Sequence, residues 1–289
     1  MLKIEGLKAR KPPPLPSHNV FLIDGESGSG KTSIVGTVGK GNKIISLDFE
    51  GGTVSYSSPI FRSLPDATEP DNIHVIPFPR FDIPPRDGEE EVKAITDINT
   101  LQLRVMSVFD YLRRTNNSDG YTLLVIDSLS EMQQRFITLF SGNDPRQGYQ
   151  QWKNFLSELV NKAKVTPVNT VFISRPMSAV NEVTGEREVR SGVSPAAWQA
   201  GSGLIDANGY YQTKTNPAGR TTRTLNFTLA QRYSAKTRMA LGVLEDPTFK
   251  QVLDLIAAGG KEEEDSQLTN PQGPKKPSMK KPSPFPKKK

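Results

Sequence analysis

The chain has 289 residues, no cysteine and two histidines, with 35% hydrophobic and 8% aromatic residues. That suffices for a packed core but excludes a disulfide framework and a thiolate metal centre, and it leaves too few histidines for a histidine-based one. The formal net charge of +6 is carried by one end: Lys275, Lys276, Lys280, Lys281, Lys287, Lys288 and Lys289 lie there, and without those seven, 30 basic residues face 31 acidic ones, so the body is no generic polyanion binder.

No run of about 18 apolar residues exists, so no membrane span is expected. The opening MLKIEGLKARKPPPLP lacks the apolar stretch of a secretory signal, and a cytoplasmic protein is expected. Residues 1–17 read as an irregular lead-in, because Pro12, Pro13, Pro14 and Pro16 exclude helix. VFLID (20–24) is a short apolar run of buried-strand type, and a helix from Thr32 to Val38 is expected to follow it. KIISLDFE (43–50) reads as a second strand, closed by Gly51 and Gly52. Residues 57–91, rich in Pro, Asp and Arg, read as a surface excursion holding a strand-like IHVIPF (73–78).

Ile98, Leu101, Val105, Val108 and Leu112 recur at helical spacing, with a stop near Asn116. YTLLVID (121–127) is a core strand, and a helix carrying Met132, Phe136 and Leu139 follows. A further helix, Tyr149 to Ala163, presents Trp152, Phe155, Leu156, Leu159 and Val160 on one face. NTVFIS (169–174) is another buried strand, and 176–203 reads as a long polar segment. GYYQTKT and TTRTLNFTL flank Asn-Pro-Ala-Gly (216–219) as a hairpin, and FKQVLDLIAA (249–258) is a last helix. The domain is therefore expected to span 18–258. Residues 259–289, Lys/Pro-rich and almost without large apolar side chains, are expected to be disordered. Alternating strands and helices followed by a hairpin predict an α/β fold with a largely parallel central sheet and an antiparallel extension.

GESGSGKT (25–32) satisfies G-x-x-x-x-G-K-[ST] between an apolar strand and a helix, the context a phosphate-binding P-loop requires. Gly25, Glu26, Ser27, Gly28, Ser29, Gly30 and Ser33 would form the cradle and its rim, with backbone N–H groups turned toward phosphate oxygens. Lys31 would face the β and γ phosphates, and Thr32 would supply a hydroxyl ligand for Mg²⁺. Asp127, ending its strand, fits the carboxylate that holds the Mg²⁺ shell, with Ser128 assisting. Glu50 could orient or deprotonate an attacking water. No Asn-Lys-x-Asp guanine signature is present, because Asn42-Lys43 and Asn161-Lys162 are followed by the wrong residues. ATP is therefore expected.

GESGSGKT, IISLDFE and LLVIDS, in this order, resemble the core of RecA-like P-loop ATPases, the likeness covering roughly residues 18–258. The resemblance implies that Glu50 is the catalytic glutamate. It also implies that Lys236 and Arg238, in SAKTR, reach into a neighbouring subunit's nucleotide site within a homo-oligomer. The overall likeness is to phage-encoded ATPases of single-strand annealing and recombination. That implies single-stranded DNA and a single-strand-binding protein as partners, in the host cytoplasm. The sequence departs from RecA after NTVFIS, where Ser174 and Arg175 replace the amide that senses the γ-phosphate. The segment 176–203 stands where a DNA-binding loop would, with Arg187 and Arg190 balanced by Glu182, Glu186 and Glu188. A small-molecule P-loop kinase and an ATP-gated, non-catalytic DNA-binding scaffold are the rival readings.

Overall fold

The computed structural model describes residues 3–4, 7–8, 18–78, 97–140, 144–180, 187–193, 204–215, 217, 219, 221–228, 236–237 and 241–258. Within the lead-in, β1 (Lys3–Ile4) and β2 (Leu7–Lys8) pair antiparallel, so that stretch is not wholly irregular. The main sheet takes in β3 (Val20–Asp24), β4 (Lys43–Asp48), β5 (Ile73–Pro77), β6 (Tyr121–Asp127) and β7 (Asn169–Ser174). A separate hairpin pairs β8 (Pro176–Val180) with β9 (Arg187–Ser191). β10 (Ala207–Thr215), β11 (Thr221–Asn226), β12 (Lys236–Thr237) and β13 (Val243–Glu245) complete the main sheet.

From one edge the order is β5-β4-β6-β7-β3-β10-β11-β13, with β12 pairing β10 off this path. The six strands from β5 to β10 run parallel, whereas β11, β12 and β13 join antiparallel. This is the expected α/β fold, a largely parallel sheet with an antiparallel hairpin extension.

Successive residues of the central strands face opposite sides, and both sides are covered. Leu22, Leu47, Leu124, Ile126 and Phe172 pack with α3 (Ile98–Arg114), α4 (Leu129–Phe140) and α5 (Pro145–Val165). Phe21, Ile23, Ile44, Val125 and Ile173 pack on the other side with α1 (Lys31–Val35), α2 (Pro59–Arg62) and α6 (Phe249–Ala257). Capping fixes where the longer helices begin. Asp97 accepts from Thr100 N–H at the start of α3, Asp144 accepts from Arg146 N–H before α5, and Thr248 and Gln251 form a capping box on α6.

Several boundaries differ from expectation. α1 stops at Val35, not Val38, and a Cβ on the following Gly36 would sit 2.6 Å from the Tyr56 ring and 2.8 Å from that of Phe61. β4 ends at Asp48, leaving Phe49 and Glu50 in the turn beyond it. α5 starts at Pro145 rather than Tyr149, because Asp144 caps it and proline suits a first turn. The 57–91 stretch is no simple excursion: Phe61 is buried, and β5 pairs in parallel with β4 as an edge strand of the main sheet. Within 176–203 the described residues form the β8–β9 hairpin instead of a loop. Residues 79–96, 194–203 and the whole 259–289 segment lie outside the described residues. Among the described residues no helix is long and apolar enough to cross a membrane.

Candidate nucleotide site

The parallel strands β3, β7, β6 and β4 present their carboxyl ends side by side, the place where open α/β sheets bind ligands. Leaving β3, the chain turns at Gly25. A Cβ there would lie 2.3 Å from the Tyr211 carbonyl oxygen, so glycine is required by the close approach of β10. Gly28 and Gly30 have φ of 74° and 97°, the left-handed conformation that winds the loop back toward α1. Thr213 Oγ1 donates to Ser29 O at 3.0 Å, tying β10 to the same loop.

Lys31 opens α1 and is buried, its Nζ donating to Gly25 O at 2.5 Å and Glu26 O at 2.7 Å. Burial pushes its pKa down, while Asp127, Glu50 and Asp24 pull it back up. Ser29 Oγ is buried with no hydrogen-bond partner, an unsatisfied donor within a loop built to hold oxyanions. Glu26, Ser27 and Gly28 are exposed at the loop tip, and Ser33 is half-buried in α1.

Thr32 Oγ1 donates to Asp127 Oδ2 at 2.6 Å. Burial raises the Asp127 pKa to about 6, the charges of Glu50 and Asp48 adding to the effect and the Thr32 hydrogen bond and Lys31 opposing it. A hydroxyl beside a buried carboxylate whose charge is disfavoured by that burial and by two acidic neighbours suits a hard divalent cation. Magnesium is commonly held by one or two carboxylates together with substrate phosphates, so two protein oxygens are enough. Among the described residues no group of three or more His, Asp or Glu could hold a metal by itself.

Asp48 builds the turn that carries Glu50. Its Oδ1 accepts from Glu50 N at 3.1 Å, Gly51 N at 2.7 Å and Gly52 N at 3.2 Å, and its Oδ2 accepts from Thr53 N at 3.3 Å and from the Thr53 hydroxyl. Gly51 has φ of 78°, and a Cβ on Gly52 would stand 3.1 Å from Asp127 Oδ2 and 3.3 Å from Thr32 Oγ1. In the Asp-x-x-Gly-Gly turn, Gly51 supplies the left-handed backbone and Gly52 lets the chain pass close to the Thr32–Asp127 pair. Arg135 of α4 donates to the carbonyls of Phe49 and Phe78, bracing the ends of β4 and β5.

Glu50 Oε1 accepts from Ser128 Oγ and lies 3.1 Å from Arg175 Nη2. Ser128 also caps α4, accepting from Glu131 N at 3.2 Å. The arrangement thus collects an ammonium, a hydroxyl–carboxylate pair and a second carboxylate gripped by a serine and an arginine around one loop.

A family model described as an AAA domain matches residues 17–239, about three quarters of the chain. The chain belongs to the AAA domain family. A comparison with curated proteins gave no match. The AAA domain goes with nucleotide binding of the ATPase type, and the P-loop geometry above is the part of the chain that suits it.

Of the residues expected at the site, the structure brings Gly25 through Ser33, Glu50 and Asp127 to one end of the sheet. Lys236 lies in β12, its backbone paired with Asn208 of β10, and Arg238 lies outside the described residues. Sequence reasoning missed Asp48, although an Asp followed by Gly-Gly three and four positions on is a legible turn signal. It also missed Asp24, buried at the end of β3 with Oδ1 unpartnered, whose pKa burial lifts to about 7 against the nearby Ser191 and Ser174 hydroxyls and Lys31.

Proposed function

We propose that this AAA domain protein is a Mg²⁺-dependent ATPase acting on single-stranded DNA, in recombination or strand annealing of the phage type, and that it works as a homo-oligomer. The observation that carries the hydrolytic part is Glu50. Its carboxylate lies beside the Thr32–Asp127 pair's turn and is held by Ser128 and Arg175, a placement that binding alone does not require.

In this reading the loop N–H groups of residues 25–30 and the Lys31 ammonium bind the phosphates. Thr32 and Asp127 would hold Mg²⁺, which when bound neutralises phosphate charge. Glu50 orients the attacking water and accepts its proton as the water oxygen bonds to the γ-phosphorus and the bond to the ADP oxygen breaks. Ser128, through its hydroxyl, keeps the Glu50 carboxylate aimed at the cradle. Asp48 fixes the turn from which Glu50 projects. Lys236 and Arg238 would serve a neighbouring subunit's site. The DNA assignment draws its support from the order of motifs and from the hairpin that leaves Arg175 directly beside the site.

Phosphate release from ATP and Mg²⁺, measured with and without single-stranded DNA and against a panel of nucleoside acceptors, tests the proposal. Release that rises with DNA is expected. Acceptor phosphorylation without release would make the protein a kinase, and binding without turnover would make it a scaffold.

A further inference from the structure

Asp24 is a buried acid that the chemistry above does not use. It ends β3 one residue before the phosphate loop, is 4% exposed, and its Oδ1 has no hydrogen-bond partner. Its main chain is held between β7 and β10, in register with Ser174 on one side and Tyr210 on the other. The Ser174 and Ser191 hydroxyls lie beside the carboxyl group and favour its charged form. They belong to a chain of hydroxyls, with Ser174 Oγ 3.1 Å from Ser191 Oγ and 3.0 Å from Ser130 Oγ. Among the described residues, Lys31 of α1 is the cation that acts on Asp24. Arg175, next after Ser174, turns its guanidinium to Glu50 instead.

Lys31 is where Asp24 and a nucleotide would meet. Its Nζ is turned back onto Gly25 O at 2.5 Å and Glu26 O at 2.7 Å, the carbonyls of the two residues that follow Asp24. From there its charge offsets part of the cost of an ionised Asp24. Phosphates in the cradle would draw the ammonium onto themselves and add negative charge beside the loop. Both changes disfavour the Asp24 carboxylate and favour the neutral acid. Burial has already pushed the pKa of this group up to about 7, so a modest further change alters its charge near neutral pH.

We propose that Asp24 is a proton-binding site coupled to the nucleotide site, its carboxylate taking a proton from solvent when phosphates fill the cradle and returning it when they leave. The only bond made or broken is the O–H of the carboxyl group. Coupling of this kind is reciprocal, so a protonated Asp24 raises nucleotide affinity and an ionised one lowers it. Affinity is therefore greatest below about pH 7 and falls as the pH rises through the folded pKa of Asp24. The inference rests on nucleotide binding at the loop, and on none of the roles given to Glu50, Arg238 or DNA.

The test titrates the full chain with ADP and Mg²⁺ in a calorimeter, in buffers of different ionisation heat, so that the heats count the protons taken up. With a coupling of about tenfold, the parent should take up about half a proton more than Asp24→Asn near pH 7.5. Proton release from Asp127 on meeting Mg²⁺ is common to both proteins and drops out of the difference. Between about pH 6.5 and about pH 8.5 the parent's ADP affinity should fall about fivefold more than that of Asp24→Asn. Ser191→Ala, which keeps Asp24 and removes a hydroxyl that favours its charge, should move that fall to higher pH. Equal proton uptake by the parent and Asp24→Asn, with ADP bound by both, overturns the coupling, and so does an unmoved profile in Ser191→Ala. No ADP binding by the parent would instead remove the nucleotide reading itself, and the coupling with it.

Discussion

Thr32 Oγ1 lies 2.6 Å from Asp127 Oδ2, across 95 residues of sequence, and this bond joins the phosphate loop to the neighbouring acidic strand end. It forms because β3 and β6 are separated by a single strand, β7, so their carboxyl ends lie close enough for α1 to reach across. The same proximity places Glu50 and Arg175 at the site, since β4 flanks β6 and Arg175 follows β7 directly.

Asp48 should act on turnover through Glu50 without touching nucleotide. Asp48→Ala removes the acceptor for four backbone N–H groups in the turn, and a misplacement of about 1 Å can cost about a hundredfold in rate. The expected result in steady-state kinetics is a fall in kcat of that order with little change in ATP affinity. Equal loss of affinity would mean that the turn serves binding.

Asp24 should make stability depend on pH in an unusual direction. Its folded pKa is raised to about 7 from 3.8, so the folded state holds a proton that the unfolded chain has released. The penalty is full above pH 7, shrinks as pH falls, and is absent below about pH 4. Asp24→Asn should therefore stabilise the fold most at pH 8, by up to ~4 kcal/mol, with a melting temperature raised accordingly, and the gain should diminish toward pH 5. A gain that grows on acidification would contradict the buried-carboxylate account.

The Lys236 and Arg238 assignments concern a subunit boundary. An arginine that stabilises charge on the transferred phosphoryl group can be worth about a thousandfold in rate. Arg238→Ala and Glu50→Gln should each be slow alone and regain activity when mixed, because some interfaces then pair intact residues. No recovery with co-assembly verified would assign Arg238 to its own subunit or to structure.

The basic end of the chain offers an electrostatic test. Each single-strand phosphate neutralised contributes about 0.7 to the slope of log K against log salt. Deleting residues 274–289, which hold seven lysines, should flatten that slope by several units while DNA-free ATPase stays the same. An unchanged slope would leave DNA binding to the rest of the chain.

Much of the core was legible because the central strands are buried on both faces and therefore read as continuous apolar runs, as in VFLID and YTLLVID. The P-loop was legible because glycine positions, lysine and threonine are all set by local geometry. What failed to show was set by tertiary context. IHVIPF was legible as a strand, but with His74, Val75 and Ile76 exposed on an edge, its pairing with β4 in the main sheet was not. The close approach of Tyr211 O to Gly25 is invisible until β10 is known to pair with β3. Arg175 was noticed only as a departure from a pattern. Its partner Glu50 lies far away in sequence, and only the strand order brings them together.

The central claim is that Glu50 performs chemistry at a site whose binding function belongs to Lys31. Comparing Lys31→Ala with Glu50→Gln tests it in one experiment, by measuring ATP affinity and single-turnover phosphate release on the same preparations. Lys31→Ala should lose affinity, because the phosphates lose their main counter-charge. Glu50→Gln should keep affinity and slow release by roughly a hundredfold or more, the contribution expected of a general base. Near-parental release in Glu50→Gln, with ATP still bound, would contradict the account.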